Sequence, residues 1–384
     1  MNVQLGDVCH FLNGGTPSKS IPSYFEGDVP WITGADISEP VVRFARSFIT
    51  EEAISKSATN RVPAGTILLV TRTSVGKAAI SGMELCFSQD ITALKPDPHK
   101  LDTAYLLQFL RIQGSHFDQQ ARGATIKGIT RDVIERLEIP LPPIAQQKRI
   151  AAILDKAEEL RGLRRQALEA LDAIAQSIFL EMFGDPVTNP KGWQTSHLRK
   201  VCDEINDCPH STPTWTEHGV VCLRTSNLTE GSWHWEDTRF VSMETYHERS
   251  KRGYILAGDI ILSREGTVGV AAIVTLEMKV CMGQRLVQLR PSASILTSEF
   301  TLQHLLYVLA PTRLSRLMVG STSQHLNVKE LKDLRIPLPP LPLQQEFTRR
   351  VEAIEQLKTT HRESLTQLNA LFASLQHRAF RGEL

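Results

Sequence analysis

The sequence lacks the features that mark several large classes of protein. It has no apolar run of about 18 residues, so it does not predict a membrane-spanning helix. The segment Met1–Asp7 has neither a basic nor an apolar stretch, so we expect no secretory signal. The six cysteines show no spaced framework, which favours a reducing compartment. We therefore expect a cytoplasmic protein without a membrane partner.

The chain also lacks a strong charge of either sign. Its net charge is +1, with 41% hydrophobic and 22% charged residues, which excludes disordered and fibrous proteins. A DNA-binding domain on its own is usually more basic. Near-neutrality indicates that any nucleic-acid contact is confined to patches or shared with a partner. At 384 residues the chain is long enough for about two or three domains.

Catalytic motifs are missing as well. An adenine methyltransferase needs an Asn/Asp-Pro-Pro-Tyr/Phe loop, and Asn189–Lys191 fails at its third position. Val75–Ala78 resembles the end of a P-loop but lacks the earlier glycine and the following Ser/Thr. Cys202, Cys208 and His210 lack the spacing of a structural zinc site, so a plain turn is the default and zinc the alternative. We predict a non-enzyme with no catalytic residue, metal or cofactor.

The most informative feature that is present is an internal repeat. Leu137–Pro143 (LEIPLPP) returns 197 residues later as Leu334–Pro340 (LRIPLPP), with six of seven residues identical. Upstream the offset falls to 193, where Ala64–Ile80 aligns with Ala257–Ile273 at nine of seventeen positions. Shifting offsets indicate loop insertions between matched strands. A period this long indicates duplicated domains and not a solenoid.

Each half of the repeat begins with a globular part that mixes strands and helices. Apolar runs after Ala-Gly turns predict strands at Thr66–Val70 and Asp259–Leu262. Apolar spacing predicts helices near Thr103–Gln113 and Ser298–Leu309. Because strands and helices do not alternate regularly, the predicted fold class is α+β, with a curled sheet and helices outside it in each globular part.

Each globular part is followed by about forty residues of helical pattern, entered through Pro142-Pro143 or Pro339-Pro340. Apolar residues recur there at the spacing of a coiled-coil seam. The predicted seams are Ile150, Ile153, Ala157, Leu160, Ala167, Leu171, Ile174 and Ile178, and Phe347, Val351, Ile354, Leu365, Leu368, Phe372 and Leu375. Neither helix can bury its stripe alone, so we predict antiparallel packing of the two, with pseudo-two-fold symmetry. Arg164 and His361 interrupt the seams, and they either fix the register or extend into solvent.

This layout resembles the specificity subunit of Type I restriction-modification systems, over essentially the whole chain. The resemblance is carried by the two helix-opening segments, the segments that close both helices and the Gly-x-Thr turns upstream: Ile139–Ile150, Ile336–Phe347, Phe183–Pro186, Ala379–Leu384, Gly123–Thr125 and Gly320–Thr322. The expected domains are a first target recognition domain (1–143), a central long helix (144–185), a second target recognition domain (186–340) and a C-terminal long helix (341–384).

The resemblance implies a non-catalytic DNA-recognition subunit. In that family each target recognition domain, of α/β character, reads one half of a split double-stranded DNA target, and the helices set the unread gap. Two modification (methyltransferase) subunits dock on the helices and domains, and restriction subunits can join them. The methyl donor, S-adenosylmethionine, belongs to the modification subunit. The chain itself is expected to hold no cofactor.

Direct readout of DNA needs polar and basic side chains on exposed loops. Matched loops of the two halves supply the candidates. They are Thr71, Arg72, Thr73 and Ser74 against Arg264 and Thr267; Arg122, Thr125 and Lys127 against Ser321, Thr322, Ser323, Gln324 and His325; and Arg224, Thr225, Ser226 and Asn227. Any one loop is more typical of a solvated turn, but together they are polar where their flanks match. The alternative function is a non-catalytic coiled-coil scaffold that holds two protein-binding domains.

Overall fold

The computed structural model describes residues 2–123, 127–314 and 325–384. The chain divides into two compact units. Unit 1 comprises residues 1–165 and 363–384, and unit 2 comprises residues 166–362. Each unit therefore contains one globular part, the first portion of one long helix and the last portion of the other.

The globular part of unit 1 contains two larger sheets, where the sequence predicted a single curled one. Its strands are β1 Asn2–Gln4, β2 Cys9–Asn13, β3 Val29–Ile32, β4 Val41–Val42, β5 Ser47–Ile49, β6 Arg61–Val62, β7 Ile67–Val70, β8 Ala78–Ser81, β9 Leu85–Phe87, β10 Ile91–Pro96 and β11 Glu138–Pro140. Its helices are α1 Glu51–Ser55, α2 Thr103–Ile112, α3 Gly114–Gln120 and α4 Arg131–Glu135. The sheet orders are β2-β10-β7-β8-β4 and β5-β3-β9-β6, and β1 pairs with β11.

The globular part of unit 2 repeats this plan with smaller sheets and an additional pair, β15 with β16. Its strands are β12 Thr195–His197, β13 Cys202–Asp207, β14 Val220–Leu223, β15 Leu228–Thr229, β16 Ser232–Trp233, β17 Phe240–Val241, β18 Ile260–Ser263, β19 Ala271–Ile273, β20 Val280–Met282, β21 Leu286–Pro291 and β22 Arg335–Pro337. Its helices are α6 Leu198–Val201, α7 Met243–Arg249, α8 Ser298–Val308, α9 Pro311–Leu314 and α10 Val328–Asp333. The sheet orders are β13-β21-β18-β19 and β17-β14-β20, and β12 pairs with β22.

The strands and short helices predicted from the sequence are confirmed in both units. The predicted strands correspond to β7 and β18, whose four residues are all buried in each case. The predicted helices correspond to α2 and α8, and a side chain caps the N-terminus of each: Asp102 accepts from the Tyr105 amide, and Thr297 accepts from the Phe300 amide. The mixed α+β class is confirmed with them.

Two long helices, α5 (Ile144–Phe183) and α11 (Leu341–Ala379), begin directly after the Pro-Pro pairs. A buried glutamine fixes the start of each helix to its globular part. Gln147 Oε1 accepts from the Asp102 amide at 2.8 Å, and its Nε2 donates to the carbonyls of Lys100 and Pro142, both at 2.8 Å.

Gln344 makes the same three bonds in unit 2. Its Oε1 accepts from the Thr297 amide at 3.0 Å, and its Nε2 donates to the carbonyls of Ile295 and Pro339, both at 2.9 Å. Both glutamines are fully buried. The repeat therefore preserves a complete hydrogen-bonding arrangement as well as the apolar pattern.

Antiparallel packing of the long helices is confirmed within each unit. In unit 1, Gln146 Nε2 donates to the Leu384 carbonyl at 2.8 Å, and Arg161 Nε donates to Asn369 Oδ1 at 2.7 Å. The Arg161 guanidinium also lies 4.4 Å from the centre of the Phe372 ring. Residue numbers therefore increase along α5 as those of its contacts in the C-terminal segment decrease, which is the antiparallel arrangement.

In unit 2, Lys358 Nζ lies 2.9 Å from Asp172 Oδ1, and the rings of Phe179 and Phe347 are 5.7 Å apart. The unit 1 and unit 2 contacts are related by the repeat, because Arg161 and Lys358 are 197 residues apart, as are Asp172 and Asn369. Each of these cations also contacts a glutamate three residues earlier, Glu158 or Glu355.

The predicted seams are correct at most positions but wrong at two. Leu160 and Ile174 are 42% and 41% exposed. Ala151 and Leu154, which the predicted seam omitted, are buried. In the second helix Lys358 is buried among the apolar residues. The observed helices therefore bury a face slightly different from the one predicted. Within the described residues, the helices are either too short or too polar to cross a membrane.

Candidate nucleic-acid interface

Two of the predicted loops of unit 1 lie side by side. The 71–77 loop joins β7 to β8, and Ile129 N donates to the Thr71 carbonyl at 2.9 Å. Thr73 N donates to the Lys127 carbonyl at 3.1 Å, and Arg72 forms a β-bridge with Gly128. Pairing of backbone groups, and not only proximity, therefore holds these loops together.

The paired loops of unit 1 present three basic side chains to solvent. Arg72, Arg122 and Lys127 are all exposed, as is Thr73, and Ser74 is half-buried. Arg122 is held by two backbone hydrogen bonds with Gly128, at 2.9 and 3.0 Å. A local concentration of cations on an otherwise near-neutral chain is a suitable site for a phosphate or a base edge.

Unit 2 repeats the loop pairing with different side chains. Leu326 N donates to the Arg264 carbonyl at 2.8 Å, as Ile129 N does to Thr71, and Glu265 forms a β-bridge with His325. Thr267 is exposed, but the Arg264 side chain is only 12% exposed and lies 3.1 Å from Asp207 Oδ1. Arg264 is therefore held as part of the loop, whereas Thr267 and half-buried His325 are accessible.

The third predicted loop is a short 3-10 turn, Thr225–Asn227. Asn227 Oδ1 accepts from the Arg224 amide at 2.9 Å, and its Nδ2 donates to the carbonyls of His234 and Asp237. Ser226 is exposed, and Arg224 pairs with Asp237. In unit 1 the matching turn, Gly34–Asp36, has the same cap, because Asp36 Oδ2 accepts from the Thr33 amide at 2.8 Å.

Two of the predicted contact residues are buried, so the structure corrects their assignment. Thr71 is 5% exposed and donates to the Asp90 carbonyl at 3.2 Å, and Asn227 is fully buried with its amide satisfied. Both side chains support the backbone of their loops and do not face solvent. Thr125, Ser321, Thr322, Ser323 and Gln324 lie outside the described residues.

A further pair of turns, which the sequence did not predict as candidates, lies beside the paired loops of each unit and forms one edge with them. These are Ser88–Asp90, between β9 and β10, and Gly283–Arg285, between β20 and β21. The Asp90 carbonyl accepts from the Thr71 amide at 2.7 Å, and the Arg285 carbonyl accepts from the Arg264 amide at 3.0 Å. The repeated glutamine in these turns, Gln89 and Gln284, was the available signal.

A polar loop, 208–214, is also anchored at this edge of unit 2. Buried Arg249 donates to the carbonyls of Ser211 and Pro209, and the Gln284 side-chain Nε2 donates to the His210 carbonyl. The signal here was Thr212–Thr214, which matches Thr16–Ser18 (Thr-Pro-Ser) in the first half of the chain. One edge of unit 2 thus carries polar groups from four segments of the chain, which contain Arg264, His325, Gln284 and His210.

Cys202 and Cys208, the candidate zinc ligands, lie at opposite ends of β13. In the part of the chain that the structure describes, no three His, Cys, Asp or Glu side chains are grouped as metal ligands. Burial raises the pKa of Cys202 to about 12, so its thiol is protonated at neutral pH. All six cysteines are free thiols.

Comparisons with known proteins agree with this arrangement. The Type I restriction modification DNA specificity domain matches residues 1–173 and 190–370. The MjaVIII specificity subunit of Methanocaldococcus jannaschii is 22% identical over 383 residues, covering 95% of this chain and 88% of that protein. The EcoR124I/EcoR124II specificity subunit of Escherichia coli is 32% identical over 163 residues, covering 41% and 40%.

Solved structures share the fold. The S subunit of a Type I restriction-modification system from M. genitalium has a TM-score of 0.59 and 16% identity, covering 99% of this chain and 96% of that one. A chain from a study of complex assembly and conformational transition of the type I R-M system has a TM-score of 0.63 and 23% identity, covering 100% and 98%. With two domain matches that together span most of its length, the chain belongs to the Type I restriction-modification DNA specificity family.

Proposed function

We propose that this chain reads a bipartite double-stranded DNA target, with one half-site for each unit, and holds modification subunits of a Type I restriction-modification complex to it. The observation that carries the proposal is the pairing of two loops that recurs in both units, between Arg72 and Gly128 in unit 1 and between Glu265 and His325 in unit 2. In both units the same backbone hydrogen bonds pair the same two loops, but the side chains on them differ. Equal frameworks with unequal side chains suit two recognition surfaces for two different sequences.

The charge distribution supports DNA as the ligand. Arg72, Arg122 and Lys127 are exposed on paired loops of unit 1, although the net charge of the whole chain is only +1. A scaffold for proteins does not require cations to be gathered on a single loop edge, whereas phosphate binding does. The corresponding loops of unit 2 carry acidic as well as basic side chains, which suits contacts with bases more than contacts with phosphates.

Exposed apolar residues on the long helices support docking of partner subunits. Leu160, Leu163 and Leu371 in unit 1 are 42%, 53% and 51% exposed, and Ile174 and Leu357 in unit 2 are 41% and 51% exposed. The repeat relates Leu160 to Leu357 and Ile174 to Leu371, 197 residues apart. Solvent-exposed aliphatic side chains at repeated positions suit one modification subunit for each unit.

The chemistry is assigned to those partners and not to this chain. A modification subunit would bind S-adenosylmethionine and transfer the methyl group, and this chain would select the sequence. A restriction subunit would be a further member of the complex. We propose the cytoplasm as the location, where the target DNA is accessible.

The test is to co-express the chain with its modification subunit and map methylated sites across the host genome. We expect a two-part motif with an unread gap. Arg122→Ala with Lys127→Ala should weaken DNA binding and lower the salt dependence by about one unit of slope for each phosphate that is no longer neutralised. Lys156→Ala with Lys148→Ala, on exposed positions of α5, is the charge-matched control. A complex that forms but binds all DNA equally would favour the scaffold function.

A further inference from the structure

The turns Ser88–Asp90 and Gly283–Arg285 carry a reversal of charge between the two units. Position 72 of unit 1 is arginine and its equivalent in unit 2 is Glu265, while Asp90 of unit 1 is replaced by Arg285. The two positions are adjacent in each unit. The Thr71 amide, just before Arg72, donates to the Asp90 carbonyl, and the Arg264 amide, just before Glu265, donates to the Arg285 carbonyl. At these two positions each unit thus has one arginine and one carboxylate, in exchanged places.

In unit 2 these two side chains form an ion pair. Arg285 Nε lies 3.5 Å from Glu265 Oε1, and the arginine side chain remains 56% exposed. The carboxylate therefore orients the guanidinium without covering it. An oriented and accessible guanidinium can donate two hydrogen bonds to O6 and N7 of guanine.

The backbone of Arg285 is held in an unusual conformation. Its φ is +69°, in the left-handed region that side-chain-bearing residues seldom adopt. Hydrogen bonds hold the turn there: the Arg264 amide donates to the Arg285 carbonyl at 3.0 Å, Gly283 N donates to the Leu223 carbonyl at 2.7 Å, and the Gln284 side-chain Nε2 donates to the His210 carbonyl. Strained residues that the surroundings keep in place are common at binding sites.

We infer that Arg285 is a specificity-determining residue that reads a guanine in the half-site of unit 2, and that Glu265 orients it. Exchange of the arginine from position 72 to the position of Arg285 then gives the two units different base preferences on the same framework. The inference rests on the proposed function, and it adds a residue that lay outside the predicted loops.

The experiment compares variants in the complex with the modification subunit, by methylation mapping and by DNA binding to a set of half-site variants. Arg285→Gly removes the side chain but suits a positive φ, so the turn should stay folded. We expect discrimination at one position of one half-site to fall about tenfold or more, with the other half-site unchanged. Arg285→Lys keeps the charge but not the two-pronged donor geometry, so it should also fail to discriminate.

Two further variants make the result specific. Glu265→Arg with Arg285→Asp preserves net charge and gives unit 2 the arrangement of unit 1, so the base selected at that position should change. Arg199→Ala removes an arginine of similar exposure, 48%, from another part of unit 2 and should leave the motif intact.

The outcomes separate the inference from the function on which it rests. An unchanged motif in Arg285→Gly, with a selective wild-type complex, would overturn the inference alone. Uniform weakening on every sequence would also overturn it, because that result marks a phosphate contact. A wild-type complex without sequence selectivity would overturn the proposed function itself.

Discussion

Gln344 buries an entire amide group where α11 leaves the globular part of unit 2. Its Oε1 accepts from the Thr297 amide, and its Nε2 donates to the carbonyls of Ile295 and Pro339. A leucine of similar size would leave one backbone amide and two carbonyls of that junction without this partner. Each unsatisfied buried group costs about 1–3 kcal/mol.

We therefore expect Gln344→Leu to lower the stability of unit 2 by about 3 kcal/mol or more. Denaturant unfolding followed by tryptophan fluorescence is a suitable measurement, because four of the five tryptophans, Trp193, Trp215, Trp233 and Trp235, belong to unit 2. Gln345→Leu is the control, since that side chain is exposed. Equal stability of the two variants would contradict the role given to Gln344.

Thr73 and Gly266 occupy the same loop position with φ of +69° and +82°. A β-branched residue is strained in this conformation. A Cβ added to Gly266 would meet no atom within 4 Å, so backbone strain alone determines how a substitution there changes stability. We expect Thr73→Gly to stabilise unit 1 by about 0.5–1 kcal/mol, and Gly266→Thr to destabilise unit 2 by about 1–2 kcal/mol. Ser74→Gly, at an ordinary φ, should destabilise slightly. Hydrogen exchange of β7 and β18 would report both units, and a loss of stability in Thr73→Gly would refute the strain.

His304 is fully buried in α8, and burial lowers its pKa from 6.5 to about 4, although the Arg335 backbone acts in the opposite direction. A histidine that stays neutral when folded and charges when unfolded contributes stability above pH 6.5 that is lost as pH falls toward 4. We expect unit 2 to lose up to about 1.4 kcal/mol per pH unit in that range. His304→Gln should remove this slope. Parallel pH profiles for the two proteins would show that other groups govern acid unfolding.

Individual side chains were the part of the site that the sequence predicted least well. Aligned polar residues indicated candidate loops, but the alignment could not distinguish Ser226, which is exposed, from Asn227, which is buried. That difference arises because Asn227 caps its own turn, and the same polar chemistry serves caps and DNA contacts. Arg285, the residue that we infer to read a base, was not a candidate because its unit 1 counterpart, Asp90, has the opposite charge.

At the level of elements, the long helices were the most predictable feature. Pro-Pro pairs fixed where both begin, and the apolar spacing identified most of the buried face. The errors at Leu160 and Ile174 arose because a 3–4 pattern contains two neighbouring stripes, and sequence alone does not show which one packs. The polar interruption was expected at Arg164 and His361, but Arg161 and Lys358 supply the contacts described above, three residues earlier.

Lys358 tests how the paired helices tolerate a buried cation. Burial alone would lower its pKa, but hydrogen bonds with Glu355 and Asp172 raise it above the usual value, so it stays charged. We expect Lys358→Ala to cost about 1–2 kcal/mol, because it removes the packing of the stem as well as the ion pairs. Lys358→Arg with Asp172→Asn copies the unit 1 pair and should cost less than half as much. Thermal unfolding of the three proteins is the measurement, and a more stable alanine variant would contradict the expectation.

At the scale of the whole molecule, we expect the long helices to set the gap between half-sites, as the family resemblance implies. Deletion of 164–170 together with 361–367 removes one heptad from each and keeps the antiparallel seams in phase. Seven residues correspond to about 10 Å of helix, or about three base pairs. We expect both half-sites to persist in methylation maps while the gap changes by about that number. Altered half-sites with an unchanged gap would contradict this division of roles.

Unit 1 is built from two segments that are far apart in the chain, and this affects how the protein folds during synthesis. Tyr105 and Phe109 of α2 pack on Phe380, with ring centres 5.2 and 5.4 Å apart, and these partners are separated by more than 270 residues of chain. A ribosome therefore finishes the whole of unit 2 before it supplies the residues that cover the apolar surface of unit 1. During that interval the earlier-made half must persist as an incomplete intermediate, which is the stage at which chaperone capture or aggregation competes with folding.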